Sequence, residues 1–214
     1  MSVDRHAPLR GFDPYGEVNV ARRRLPHWQQ PGAAYFITFR LADSLPQSRL
    51  RQWREERAIW LRWHPEPWLA AEQREYEERF VRRIQEWLDA GMGACHLRRP
   101  DVRNEIESCM FHFDGTRYDV DALVLMPNHV HATIAPRDDY NLSMLLKGIK
   151  GVSANRCNNL LRSKASFWMG ESYDHIVRDA KELAAFRDYM AENPSKAGLK
   201  SHEYSLELRN VLVA

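Results

Sequence analysis

The sequence predicts an α+β fold: a ferredoxin-like or RRM-like antiparallel sheet with helices on one face, interrupted by a helical insertion after the first strand. Three observations carry this. Short runs of branched and aromatic residues recur at Tyr35–Leu41, Tyr118–Met126, His129–Ala135 and Ser172–Arg178. Segments of helical period separate them, about Asp101–Phe113, Leu142–Arg162 and Asp179–Glu192. A long charged, Trp-rich section, about 48–100, lies between the first strand run and the first of these helices.

Each element has a local cause. Tyr35-Phe36-Ile37-Thr38-Phe39-Arg40-Leu41 is nearly continuous in strand formers, which suits a central strand. Ser48–Trp63 reads as a helix broken by Pro65 and Pro67, and a second helix runs from about Trp68 to Ala90. Asp114-Gly115 marks a turn, and Pro127-Asn128 separates the next two strands. Leu142, Leu145, Leu146, Ile149, Val152, Leu160 and Leu161 form one helical stripe. Asp179 is a suitable N-cap for the last helix, with Pro194 and Gly198 expected to stop it. The expected organisation is a basic N-terminal arm over 1–30, one catalytic domain over 31–205 and a tail over 206–214.

The net charge of +2 says little, but its distribution is uneven. Ser48–Ala90 holds nine arginines and nine acidic residues, which cancel along solvated helices. Tyr140–Gly170 has no Asp or Glu but carries Lys147, Lys150, Arg156, Arg162 and Lys164, a candidate phosphate-binding surface. Trp28 and Trp168 are candidates for base stacking or for burial. Cys95, Cys109 and Cys157 are widely spaced and lack a CxxC pair, which fits reduced thiols; Cys95-His96 has no partners at finger-like spacing. With no apolar stretch in Met1–Arg10 and none of roughly 20 residues elsewhere, the expectation is a cytoplasmic protein without membrane association.

Residues i and i+2 of a strand face the same way, so His129 and His131 project together while Val130 points into the core. Paired imidazoles suit a divalent cation, although such pairs are also often structural. Tyr189 and Asn193 are four apart on the last helix and share a face. If that helix crosses the sheet near the histidines, Asn193 can supply a third ligand while Tyr189 reaches a substrate. Periodicity alone does not establish that docking, and by itself Tyr189 reads first as a residue buried beside Phe186.

The segment Leu125-Met126-Pro127-Asn128-His129-Val130-His131 resembles the signature of HUH single-tyrosine transposases of the IS200-like superfamily. Ser166-Phe167-Trp168, Tyr173–Asp179 and Tyr189–Leu199 are similar to the REP-associated tyrosine transposases within it, as are Leu25-Pro26-His27 and Tyr35–Arg40. The resemblance spans roughly residues 20–205. It implies a transposase that cuts and rejoins single-stranded, palindromic hairpin DNA of REP type through a 5′-phosphotyrosine intermediate. By it, His129, His131 and Asn193 hold Mg²⁺ or Mn²⁺, Glu192 is a fallback ligand and Tyr189 is the nucleophile. Lys147, Lys150, Arg156 and Arg162 are then the expected DNA contacts, and the state is a monomer or homodimer. The insertion is longer than the family's minimal domain requires. Two other readings stay open: a non-catalytic single-stranded nucleic-acid binder of RRM type, and a metal nuclease that uses water.

Overall fold

The computed structural model describes residues 9–16, 19–22, 26–137 and 140–209. A hairpin of β1 (Asn19–Arg22) and β2 (Pro26–Gln29) precedes β3 (Tyr35–Arg40). The insertion follows as α1 (Gln47–Trp63) and one continuous helical run, α2 (Ala70–Tyr76), a π-helical stretch (Glu77–Arg82) and α3 (Arg83–Asp89). After a short 3₁₀ turn at His96–Arg98 come α4 (Pro100–Phe111), β4 (Tyr118–Leu125), β5 (His129–Pro136), α5 (Leu142–Leu161), β6 (Tyr173–Ile176), α6 (Ala180–Lys196) and β7 (Ser205–Leu208).

The main sheet has five strands in the order β6-β3-β5-β4-β7, every neighbouring pair antiparallel. Without α1–α3, the path β3-α4-β4-β5-α5-β6 is the ferredoxin-like β-α-β-β-α-β path, and the α+β class is the one expected. Tyr35, Ile37, Phe39, Val130, Ala132 and Ile134 point to one face, where α4 and α5 cover them with Val102, Ile106, Leu145 and Ile149.

Helices do not lie on that face alone. Phe36, Ala122, Val124 and Met126 point the other way and pack against Met190 of α6, with Phe186 and Tyr189 at the margin. Every residue of β4 and β5 is therefore buried, since each alternate side chain meets a helix layer. The docking is anchored by an ion pair between Arg187 of α6 and Asp121 of β4, whose carboxylate is wholly buried; Arg187 Nε donates to Oδ2 at 2.9 Å. Asp121 occupies a β-bulge, where the pairing with β5 jumps between Val120 and Ala122. The extra residue puts Val120 and Leu123, three apart, on the same face and leaves Asp121 to meet Arg187.

Two boundaries differ from expectation. Helix α6 runs through Asn193 and Pro194 to Lys196 rather than stopping before the proline. Its carbonyls are taken up one turn later, by Ala197 N on Asn193 O at 3.0 Å and Leu199 N on Pro194 O at 2.9 Å. The residues after 205, expected as a tail, begin with the sheet's edge strand β7. Of the expected N-terminal arm, residues 1–8 lie outside the described residues. So does the side chain of Trp28.

Candidate functional site

The site is built where β5, α6 and the end of the insertion meet. Thr38 and Arg40 of β3 stand directly across from His131 and His129 of β5, all four on the α6 face. The two imidazoles are fully buried, with ring centroids 4.6 Å apart. Phe36 stacks on His131 from one side, at 5.4 Å, and on Phe186 from the other, at 4.3 Å. That aromatic column ties the histidine pair to α6 and sets Tyr189, whose hydroxyl lies 3.3 Å from His131 Nε2.

Hydrogen bonds fix the protonation of His129. Asn128, also fully buried, donates from Nδ2 to Met92 O at 2.9 Å, so its Oδ1 is the end that faces His129 Nδ1 at 2.8 Å. Nδ1 must then carry the proton, and Nε2 keeps its lone pair. His131 Nδ1 is held by Thr38 Oγ1 at 2.7 Å. Burial pushes the conjugate acid of His131 down to about 3 and that of His129 well below the usual histidine range, with His131 adding to the effect. Both rings are neutral, the state in which imidazole binds a metal.

Several buried polar atoms at this point have no hydrogen-bond partner: His129 Nε2, Asp89 Oδ1, Thr133 Oγ1 and both amide atoms of Asn193. Asn193 lies beside Asp89 and Tyr189, near enough to favour their charged forms, yet neither of its amide atoms reaches hydrogen-bond geometry. Burial, then the Asp89 carboxylate, holds the Tyr189 phenol well above its ordinary value. Buried polar groups are almost always satisfied, so unpartnered lone pairs from Asn193 and His129 beside the His131 ring fit a bound cation. Among the described residues, no set of three His, Cys, Asp or Glu forms a ready metal cluster, which brings the amide of Asn193 in as a candidate ligand beside the two histidines.

Of the expected site residues, His129, His131, Tyr189 and Asn193 are brought together. Glu192 is not: it is exposed and pairs with Lys196 at 2.7 Å, one turn along the outer face of α6. Lys147, Lys150, Arg156 and Arg162 belong to α5 or its C-cap, and α5 covers the opposite face of the sheet. Lys150 is spent on Met169 O, Gly170 O and Ser172 Oγ, and Arg156 pairs with Glu105 at 3.3 Å. Trp168 is core, donating to Ser153 Oγ at 2.9 Å. All three cysteines are free and buried. The cation on the site face is Arg40, half-buried, lowered to about 10 by burial and by Arg54 nearby. Its strand partnership with His129 was legible only once the register was known.

The neutral histidines make stability depend on pH with a definite sign. Below about 6.5 the unfolded chain takes up protons on both imidazoles that the folded chain refuses, so stability falls as pH drops, for His131 down to about 3. Asp89 acts the other way: burial raises it to about 6, so its cost is relieved as pH falls through that value. Two groups outweigh one, at about 1.4 kcal/mol per pH unit for each histidine. Urea unfolding at about pH 7 and about pH 5 should show a loss on the order of 2 kcal/mol. The loss should shrink in a His129→Gln/His131→Gln variant; an unchanged loss would assign it elsewhere.

The family model described as Transposase IS200 like matches residues 99–193, from α4 to the end of the site. More particularly, the chain is 26% identical over 104 residues to a Haemophilus influenzae protein provisionally named as a REP-associated tyrosine transposase. That match covers 42% of this chain and 59% of the relative's length. A solved REP-associated tyrosine transposase bound to a REP hairpin aligns over 79% of this chain and 71% of its own, at 17% identity and a TM-score of 0.45. A provisionally assigned Deinococcus radiodurans transposase aligns over 75% and 89%, at 11% identity and a TM-score of 0.32. Among the described residues, no helix is long and apolar enough to cross a membrane.

Proposed function

We propose that the protein is a metal-dependent tyrosine transposase that cuts and rejoins single-stranded hairpin DNA of REP type through a 5′-phosphotyrosine intermediate. The observation that carries this is the approach of the Tyr189 hydroxyl to His131 Nε2, at 3.3 Å, beside the unpartnered atoms of His129 and Asn193. The IS200-like match, which contains all four residues, and the REP-associated relative point the same way.

His129, His131 and Asn193 would hold Mg²⁺ or Mn²⁺, which supplies Lewis-acid stabilisation of charge on a phosphoryl oxygen. In the proposed reaction the Tyr189 phenol oxygen attacks the scissile phosphorus, the phenol proton passes to solvent, and the 3′-oxygen departs and takes up a proton to become a hydroxyl. The phosphotyrosine link conserves the phosphodiester, so a second 3′-hydroxyl can reverse the step onto a new strand. Arg40, on the same face and bonded among the described residues to Ser44 Oγ rather than to a carboxylate, is placed to take a phosphate of the bound strand; this is a better-positioned contact than the α5 cations.

A non-catalytic binder of RRM type is disfavoured because such domains stack bases on an open sheet face, whereas here α6 and α4–α5 cover both. The test is incubation with a REP-like hairpin oligonucleotide and Mn²⁺, followed by denaturing electrophoresis. A covalent adduct should form, should disappear with chelator, and should fall by at least about 10³-fold in His129→Ala or His131→Ala. Hydrolytic cleavage without an adduct would favour the water-using nuclease, and binding without cleavage the RRM-type reading.

A further inference from the structure

We infer that Asp89, contributed by the helical insertion, is a further ligand of the metal site and its one anionic member. The inference rests on the metal-binding reading of His129, His131 and Asn193, and concerns a residue outside the IS200-like match at 99–193. Its starting point is a pair of unsatisfied buried atoms. Asp89 Oδ1 lies 3.6 Å from His129 Nε2, and neither atom has a hydrogen-bond partner. The Asn128–Met92 hydrogen bond turns Asn128 Oδ1 to His129 Nδ1, which leaves Nε2 as the ring nitrogen directed at Asp89. A cation shared between Nε2 and Oδ1 satisfies both.

The position is built, not incidental. Leu88, immediately before Asp89, is buried with Leu45 and Leu50, which locks the end of α3 against the start of α1. Met92 O holds Asn128, and Leu97 N bonds to Pro127 O at 3.1 Å, so the chain after Asp89 is tied to the turn that presents His129. The helical run 70–89 ends at Asp89, and α6 ends at Lys196, one turn beyond Asn193; Asp89 and Asn193 are neighbours, so two helix C-termini, each with partial negative charge, lie near the site. Two imidazoles and an amide carry no charge, whereas Mg²⁺ and Mn²⁺ prefer hard, anionic oxygen donors. Asp89 supplies that donor, and the insertion thereby becomes part of the catalytic centre.

The experiment is Mn²⁺ titration of the full chain by calorimetry, with metal-dependent thermal shift as a second readout, for the wild type, Asp89→Asn, Asp89→Ala and His131→Ala. Expected is a loss of Mn²⁺ affinity of at least about tenfold in both Asp89 variants, with a smaller thermal shift on adding metal. In chelator, Asp89→Asn should melt no lower than the wild type, because the charge beside a buried, unpartnered oxygen is gone; this separates lost binding from lost folding. Wild-type affinity in Asp89→Asn and Asp89→Ala, with affinity lost in His131→Ala, overturns the role of Asp89 alone. No Mn²⁺ binding by the wild type overturns the metal site itself and this inference with it.

Discussion

Tyr189→Phe is expected to abolish the covalent DNA adduct and reduce strand cleavage by at least about 10³-fold, while binding of the hairpin changes less than about threefold. The ring packs against the Phe36 cluster through its edge, a contact that phenylalanine keeps. What the variant loses is the oxygen, with its 3.3 Å contact to His131 Nε2. Because the phenol is held above its ordinary value by burial and by Asp89, removing the hydroxyl also removes a poorly solvated polar group, and stability should be unchanged or slightly higher. The comparison variant is Tyr173→Phe. Tyr173 sits on the edge strand β6 opposite Thr38, and burial raises its phenol strongly as well, but no hydrogen bond links it to either histidine. Cleavage and adduct formation should survive in Tyr173→Phe. Loss in Tyr173→Phe with retention in Tyr189→Phe would reassign the nucleophile.

Much of this site was readable along the chain, for reasons that are local. The alternation His129-Val130-His131 fixes which face each side chain takes, because strand period is 2 whatever the tertiary setting. The four-residue spacing of Tyr189 and Asn193 fixes a shared helix face in the same way. What was not readable depends on contacts between distant residues. That α6 crosses the face opposite α4 and α5 is decided by the Asp121 bulge and by an ion pair spanning 66 positions, neither of which has a periodic signature. Pro194 looked like a stop, but near a helix end a missing N–H costs one bond and the following residues re-cap the carbonyls. β7 is four half-exposed or exposed residues, too short and too mixed to stand out from a tail. Asp89 was one of many acids in a charge-balanced helical section, and only the placement of its Oδ1, unpartnered 3.6 Å from His129 Nε2, distinguishes it. The acid-free run on α5 was a real compositional feature, but Lys150 and Arg156 are engaged within the fold, so composition overstated its availability to DNA.

Arg187→Ala should destabilise the protein by about 3 kcal/mol, because it leaves the Asp121 carboxylate buried without its bidentate partner. For a chain of this size that corresponds to a melting temperature lower by roughly 6–12 °C. Lysine should rescue little of it, since one ammonium cannot match both carboxylate oxygens as a guanidinium fork does. The consequence extends beyond stability. Arg187 lies half a turn from Tyr189 and under two turns from Asn193, so a helix that loses this anchor shifts the phenol and the amide together relative to the strand-borne histidines. A displacement of about 1 Å is enough to cost roughly 10²-fold in rate. Cleavage measured well below the new melting point should therefore still be depressed in Arg187→Ala. Replacing the pair by apolar residues, Asp121→Leu with Arg187→Met, should recover much of the melting temperature because both charges of the buried ion pair are removed together. Should Arg187→Ala melt within about 1 °C of the wild type, the ion pair is not what docks α6, and the stacking of Phe186 on Phe36 would have to hold the helix in place.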